Sequence, residues 1–195
     1  MSDKSLRETL EDAFEAHSLD ERYERAFGQL MIAWADAEHE MHQVLVAYTG
    51  VTHAVGRALF SGSRMRAMMD FIRSIHHNSP LPKDRMDDLE HVFPQIQTIN
   101  NMRDHLAHHS TSSYSFSKPT HRVVANVRTS RYGKESAYEV SADDIEAMTF
   151  DLWGIANHLN MHHGPRTGPF TPWRESPESD APTPWLYRQP PPVRT

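Results

Sequence analysis

The densest run of groups able to bind phosphate or move a proton is Ile99-Asn100-Asn101-Met102-Arg103-Asp104-His105-Leu106-Ala107-His108-His109. Arginine stays charged and its planar fork matches phosphate oxygens, while histidine exchanges protons near neutral pH. Together they can bind an anion and exchange a proton at one place. Asn100, Asp104 and His108 recur every fourth residue and share a helix face, so Asp104 is expected to orient His108. Arg103 falls where its helix calls for an apolar residue. That places its guanidinium at the edge of a core or interface, in need of a carboxylate or a bound anion. Five residues of helix set Arg103 and His108 roughly 140° apart in azimuth and about 7.5 Å apart along the axis. One copy would hardly clamp a ligand between them, whereas two copies about a two-fold axis bring two Arg and two His together. Arg and His near a helix C-terminus also oppose the helix dipole favourably, so a purely structural role stays open.

Other constellations compete or assist. Glu38 flanks the apolar stripe of its helix and could supply the carboxylate for Arg103 or pair with His42, a structural partner rather than a catalytic one. Metal is the rival chemistry. Glu38/His42 and His105/His109 are each spaced to offer two ligands from one helix face. No Glu-x-x-His or His-Glu-x-x-His motif occurs, however, and adjacent pairs such as His76-His77 and His162-His163 diverge on a helix. The expectation is no metal and no cofactor. Lys118, Arg122, Arg128, Arg131 and Lys134 give the segment after the motif a net charge of +4 once Glu135 is counted, with Tyr114, Phe116 and Tyr132 interleaved. Arg122, Arg128, Arg131, Lys134 and Tyr132 are therefore candidate RNA contacts, since bases stack on rings between phosphate-binding cations. The same charges could equally guard an exposed strand edge. Arg57, Arg64, Arg66 and Arg73 read as a solvated face. Ser61-Gly62-Ser63 is too short for a phosphate-binding loop.

The elements that position these residues are mostly helical. A first segment covers about 4–17. A long helix with Asp20 as N-cap runs to Tyr48 and stops at Thr49-Gly50, with Phe27, Leu30, Trp34, Ala37, Met41, Leu45 and Tyr48 on one stripe. Thr52 and Ser63 are expected to cap shorter helices over 53–61 and 64–77, and Asn78-Ser79-Pro80-Leu81-Pro82 breaks the chain. The motif lies late in the next helix, 83–110, whose stripe is Leu89, Val92, Ile96 and Ile99 and which Pro94 should kink or split. Alternation at Val123, Ala125, Val127 and again at Tyr138, Val140 predicts a β-hairpin inserted at about 114–140. Ser141-Ala142-Asp143-Asp144 starts a last helix to about His163. The fold class is thus all-α, a helical bundle over 1–163 with a small hairpin insertion. Nine of the 13 prolines lie in 164–195, which reads as an extended, largely disordered tail. Trp185 and Tyr187 could dock, but a passive tail is the favoured reading there.

Composition bounds the possibilities. The chain has 195 residues, enough for one domain, with 14 histidines and no cysteine, which excludes disulfides, thiol nucleophiles and cysteine-ligated metals. Hydrophobic residues make up 38% and mean hydropathy is −0.66, a leanness that the proline-rich tail accounts for. The net charge of −6, concentrated in an N-terminal stretch of 11 acids against 4 bases over residues 1–40, argues against sequence-independent coating of nucleic acid but not against a small basic site. No secretory or membrane-spanning segment is visible, so a soluble, cytoplasmic protein without membrane partners is expected.

Arg103-Asp104-His105-Leu106-Ala107-His108, late in a long helix of an all-α bundle, resembles the Arg-x4-6-His motif of the HEPN superfamily. A polar residue after the Arg and a small residue before the His are common in that motif, and Asp104 and Ala107 match. The long helix with Trp34 and Glu38 also fits, so the resemblance covers about 20–163. The basic hairpin and the proline-rich tail lie outside the family's core pattern. The resemblance implies a metal-independent endoribonuclease, often a homodimer, with Arg103 and His108 as composite catalytic residues; by their positions on the helices, Asp104 is counted as catalytic beside them, with Glu38, Asn100 and His105 in support. It further implies a toxin or phage-defence role with a cognate antitoxin as partner. Two alternatives stand beside it: a non-catalytic dimerisation or RNA-binding module of the same fold, and a metal-dependent helical-bundle hydrolase.

Overall fold

Gly50, with φ of +67°, ends the first and longest helix where an L side chain would be strained. The computed structural model describes residues 6–108, 110–114, 121–125, 137–163 and 185–192. Helix α1 (Leu6–Thr49) is continuous, so Asp20 is an interior residue and not an N-cap. No glycine or proline separates the two expected segments, and one aspartate in a helix interior costs only a fraction of a kcal/mol, up to about 0.7. Helix α2 (His53–Phe60) starts as expected, with Thr52 accepting from the Val55 N–H at 3.4 Å. Helix α3 (Met65–Asn78) instead has Arg64 at its N-cap and no side-chain capping bond, so Ser63 does not play that part. Helix α4 (Lys83–His108) passes through Pro94 without a break. Pro94 is exposed and its neighbours Val92, Phe93 and Ile96 are buried, so packing outweighs the lost backbone bond.

Three strands follow α4, where a two-stranded hairpin is expected from sequence. They are β1 (Ser110–Tyr114), β2 (His121–Ala125) and β3 (Ala137–Ser141), in the order β1-β2-β3. Both pairings are antiparallel, with Ser113 opposite Val123 and Val124 opposite Tyr138. The added strand is the Ser/Thr run, whose composition signals a helix end more than a strand. Helix α5 (Ala142–His163) begins with a reciprocal cap. The Asp144 N–H donates to Ser141 Oγ at 3.1 Å, and the Ser141 N–H donates to Asp144 Oδ2 at 2.8 Å.

The core lies where α1 and α5 pack along their length, with α3, α4 and the sheet closing it. Leu30, Ala33, Ala37, Met41 and Leu45 of α1 meet Ile145, Met148, Leu152, Ile155 and Leu159 of α5, all fully buried. Arg22 clips the two helices at the rim, donating from Nε to Glu146 at 3.2 Å and from Nη2 at 2.8 Å, and also to Asp143. These carboxylates, Glu146 first, raise the guanidinium's proton affinity further. No helix among the described residues is long and apolar enough to cross a membrane.

Candidate functional site

Met102 and Leu106 continue the buried stripe of α4, which displaces Arg103 to the rim of the core with 20% of its side chain exposed. There the guanidinium lies over the Trp34 indole of α1, 4.7 Å from the ring centroid. Its Nη2 donates to Asn100 Oδ1 at 3.0 Å and to Asp104 Oδ1 at 2.5 Å, and its Nε–H is buried without a hydrogen-bond partner among the described residues. The carboxylate expected for Arg103 is therefore Asp104. This corrects the expectation that Asp104 orients His108: no hydrogen bond joins those two. The long arginine side chain curls back along the rim to reach both Asp104 and Asn100, while His108 stands exposed in the last turn of α4. Glu38 is half-buried and pairs with neither Arg103 nor His42.

His105 is turned inward, its ring 4.9 Å from that of Tyr138 on β3, and so ties the motif helix to the sheet. Arg122 of β2 lies over Tyr23 of α1 at 4.6 Å, which draws this RNA-contact candidate onto the body. Arg128, Arg131, Tyr132 and Lys134 lie outside the described residues, as does His109. An open cleft of about 460 Å³ between α3 and α4 is lined by residues including Arg66, Arg73, Phe93 and Asn101, and by neither Arg103 nor His108. Arg73 is paired there with Glu90 at 2.7 Å and stacked on Phe93, so this cation is committed.

A second constellation is buried between α4 and α5. Asp88 Oδ2 contacts His158 Nε2 and lies 2.8 Å from His162 Nε2, and all three side chains are buried. His162 Nδ1 lies 2.6 Å from Tyr48 Oη of α1, and buried Arg85 donates to the His162 carbonyl at 3.2 Å. Burial lowers the proton affinity of His162 more than Asp88 restores it, so His162 is neutral at pH 7. Its Nε2–H then donates to Asp88 and its Nδ1 accepts from the Tyr48 hydroxyl, whose own pKa burial raises. Outside this network, His163 pairs with Glu40 of α1 at 2.5 Å. The pattern that could have revealed the cluster is His158-x3-His162, with His162 continuing the α5 stripe three residues after Leu159.

The chain's C-terminal part adds a third feature. Both oxygens of buried Asp151 are occupied, Oδ1 by the Leu186 N–H and Oδ2 by the Tyr187 N–H, each at 3.0 Å. Gln95 donates to Asp151 Oδ2 at 2.7 Å and to the Tyr187 carbonyl at 3.2 Å. Trp185 stacks on His91, and Tyr187 is 1% exposed. Residues 185–192 form no helix or strand, yet at Trp185 and Tyr187 the chain docks on α4 and α5 and is no passive tail. Residues 164–184 lie outside the described residues.

Comparison of this chain with protein-family models, characterised proteins and solved structures finds no match.

Proposed function

We propose that this chain is a metal-independent endoribonuclease of HEPN type, built as a homodimer around Arg103 and His108. The observation that supports it most is the holding of Arg103 at the rim of α4 by Trp34, Asn100 and Asp104, two turns or less from an exposed His108. A guanidinium fixed on an aromatic face is a preorganised phosphate ligand, and imidazole is the side chain suited to proton transfer near neutrality. In the reaction, the RNA 2′-oxygen bonds to phosphorus and the P–O5′ bond breaks. One His108 takes the 2′-OH proton while the partner copy's protonated imidazole gives a proton to the 5′-oxygen. Arg103 holds the phosphate oxygens that gain charge. Asp104 positions Arg103.

The test is cleavage of single-stranded RNA by the full chain, with and without EDTA. It should leave 2′,3′-cyclic phosphate ends, and His108→Ala should slow it about 10²- to 10⁴-fold, the usual range for removing an acid–base group. His108→Ala cleaving as fast as the parent chain overturns the mechanism. Expression of the parent chain should also slow growth, with relief by His108→Ala, as expected of a toxin or defence component held in check by an antitoxin.

A second reading has its own observation. Arg103 Nη2 already donates to a carboxylate and an amide, contacts that a non-catalytic dimerisation or RNA-binding module of the same fold would also need. RNA retention without cleavage, unchanged by His108→Ala, selects that reading.

A further inference from the structure

Asp88, His158 and His162 bring three ligand atoms within 4.8 Å of one another, in a buried place that the ribonuclease reading does not use. We propose that these three side chains hold a divalent first-row transition ion, zinc foremost, as a brace between α4 and α5. The argument starts from helix geometry. Residues four apart share a face, so His158 and His162 present two imidazoles side by side from α5. Asp88 faces them from α4. Both rings turn Nε2, not Nδ1, toward the same oxygen, Asp88 Oδ2. Two imidazole nitrogens and one carboxylate oxygen form the donor set that suits Zn²⁺, at bond lengths of about 2.0–2.2 Å. With such bonds in a tetrahedron the ligand atoms stand roughly 3.3 Å apart. To admit the ion, the His162–Asp88 separation of 2.8 Å must open by about half an ångström, and the shorter His158–Asp88 contact by about an ångström, shifts within reach of side-chain torsions.

The surroundings are those of a supported ligand. Metal-bound histidines are oriented through their second ring nitrogen. His162 Nδ1 has Tyr48 Oη at 2.6 Å, and the backbone of His162 is held by Arg85. With the metal on Nε2, the Nδ1–H donates to the Tyr48 oxygen, reversing the direction of that bond. Arg85 works against the ion by bringing a positive charge nearby, which makes the anionic ligand Asp88 indispensable. All three ligands are buried, so the ion's role is to brace the helices, with a water completing the tetrahedron. Asp88 is fifteen residues before Arg103, about 22 Å along α4, so the metal takes no part in the chemistry proposed for Arg103.

The test uses the full-length, untagged chain, stripped by dialysis against a chelator and titrated with Zn²⁺ and with Co²⁺. One equivalent per chain should bind, the melting temperature should rise with Zn²⁺, and Co²⁺ should give the visible d–d bands of a four-coordinate nitrogen–oxygen site. Asp88→Asn and His158→Gln should abolish the bands. Tyr48→Phe should weaken affinity about 10- to 100-fold, as loss of an orienting partner does. His39→Asn with His77→Asn, both exposed, should change nothing. Absence of stoichiometric binding to the parent chain overturns the proposal whether or not the variants fold. So does binding that survives Asp88→Asn and His158→Gln, or that disappears with the exposed histidines. RNA cleavage is not read in any of these measurements, so this inference and the ribonuclease reading fail separately.

Discussion

Arg103 and Trp34 are in face contact, the guanidinium carbon 4.7 Å from the indole centroid, and this contact sets the last turns of α4 against α1. A cation over an aromatic face is worth about 0.5–2 kcal/mol depending on burial, and a planar guanidinium uses it better than an ammonium. Arg103→Lys keeps the charge but loses the stacking plane and the fork. It should lower the unfolding free energy by about 1 kcal/mol and cut RNA cleavage by tenfold or more. Urea unfolding and a cleavage time course check the two effects. Cleavage undiminished by the lysine means that Arg103 supplies charge alone.

Asp104 separates positioning from catalysis. Its side chain is 49% exposed, so its ion pair with Arg103 contributes at most about 1 kcal/mol to stability. Asp104→Asn should leave the melting curve nearly unchanged and reduce cleavage less than His108→Ala does, without altering the shape of the pH–rate profile. If the profile shifts with this substitution, Asp104 acts on His108 after all.

Gly56 shows why α2 leans on α1. A Cβ at Gly56 would stand 2.6 Å from Val46 Cγ2 and 3.0 Å from Cγ1, and valine in a helix has little freedom at χ1 to move away. Gly56→Ala should therefore destabilise by about 1–3 kcal/mol, despite alanine's better helix propensity. Val46→Ala added to it should recover part of the loss. A double-mutant cycle without coupling contradicts the contact.

The helices were legible because their apolar residues repeat at three and four. The α1 stripe from Leu30 to Leu45 and the α5 stripe from Ile145 to Leu159 are both buried as the periodicity implies. What escaped depends on partners distant in the chain. Ser110–Tyr114 is a strand because β2 pairs with it, and a Ser/Thr run has no apolar alternation to announce that. Asp88 meets His158 across 70 residues, and no local spacing encodes that meeting. The Arg103–Asp104 pair was missed for another reason. Face-sharing at i,i+4 ignores how far an arginine side chain reaches, and that reach took Asp104 away from His108.

Tyr187 is the anchor of the docked C-terminal segment. It is almost fully buried, and its hydroxyl has no hydrogen-bond partner among the described residues. Burial pushes its proton affinity well up. Removing the ring with Tyr187→Ala should cost about 3 kcal/mol and release Trp185 from His91, seen as a red shift in tryptophan emission. Tyr187→Phe removes only the unsatisfied hydroxyl and should be neutral or stabilising by about 1 kcal/mol. A destabilising phenylalanine reveals a partner for that hydroxyl.

Asp151 decides between two opposed effects in that same segment. Burial raises its pKa above the ordinary 3.8, and the N–H bonds from Leu186, Tyr187 and Gln95, with the charge of Arg188, pull the other way without cancelling it. With the folded-state pKa above the unfolded one, the folded chain binds more protons in the window just above pH 3.8. Its unfolding free energy from this group then falls as pH rises through that window and is flat beyond it. Asp151→Asn cannot titrate, and its amide can accept at one oxygen only, so it loses one of the two backbone bonds at every pH. The stability advantage of the parent chain over Asp151→Asn should thus be larger near pH 3.5 than near pH 7, compared by urea unfolding across about pH 3 to pH 7. An advantage that grows toward neutral pH means that the N–H bonds prevail, and that the carboxylate is held ionised to keep the segment docked.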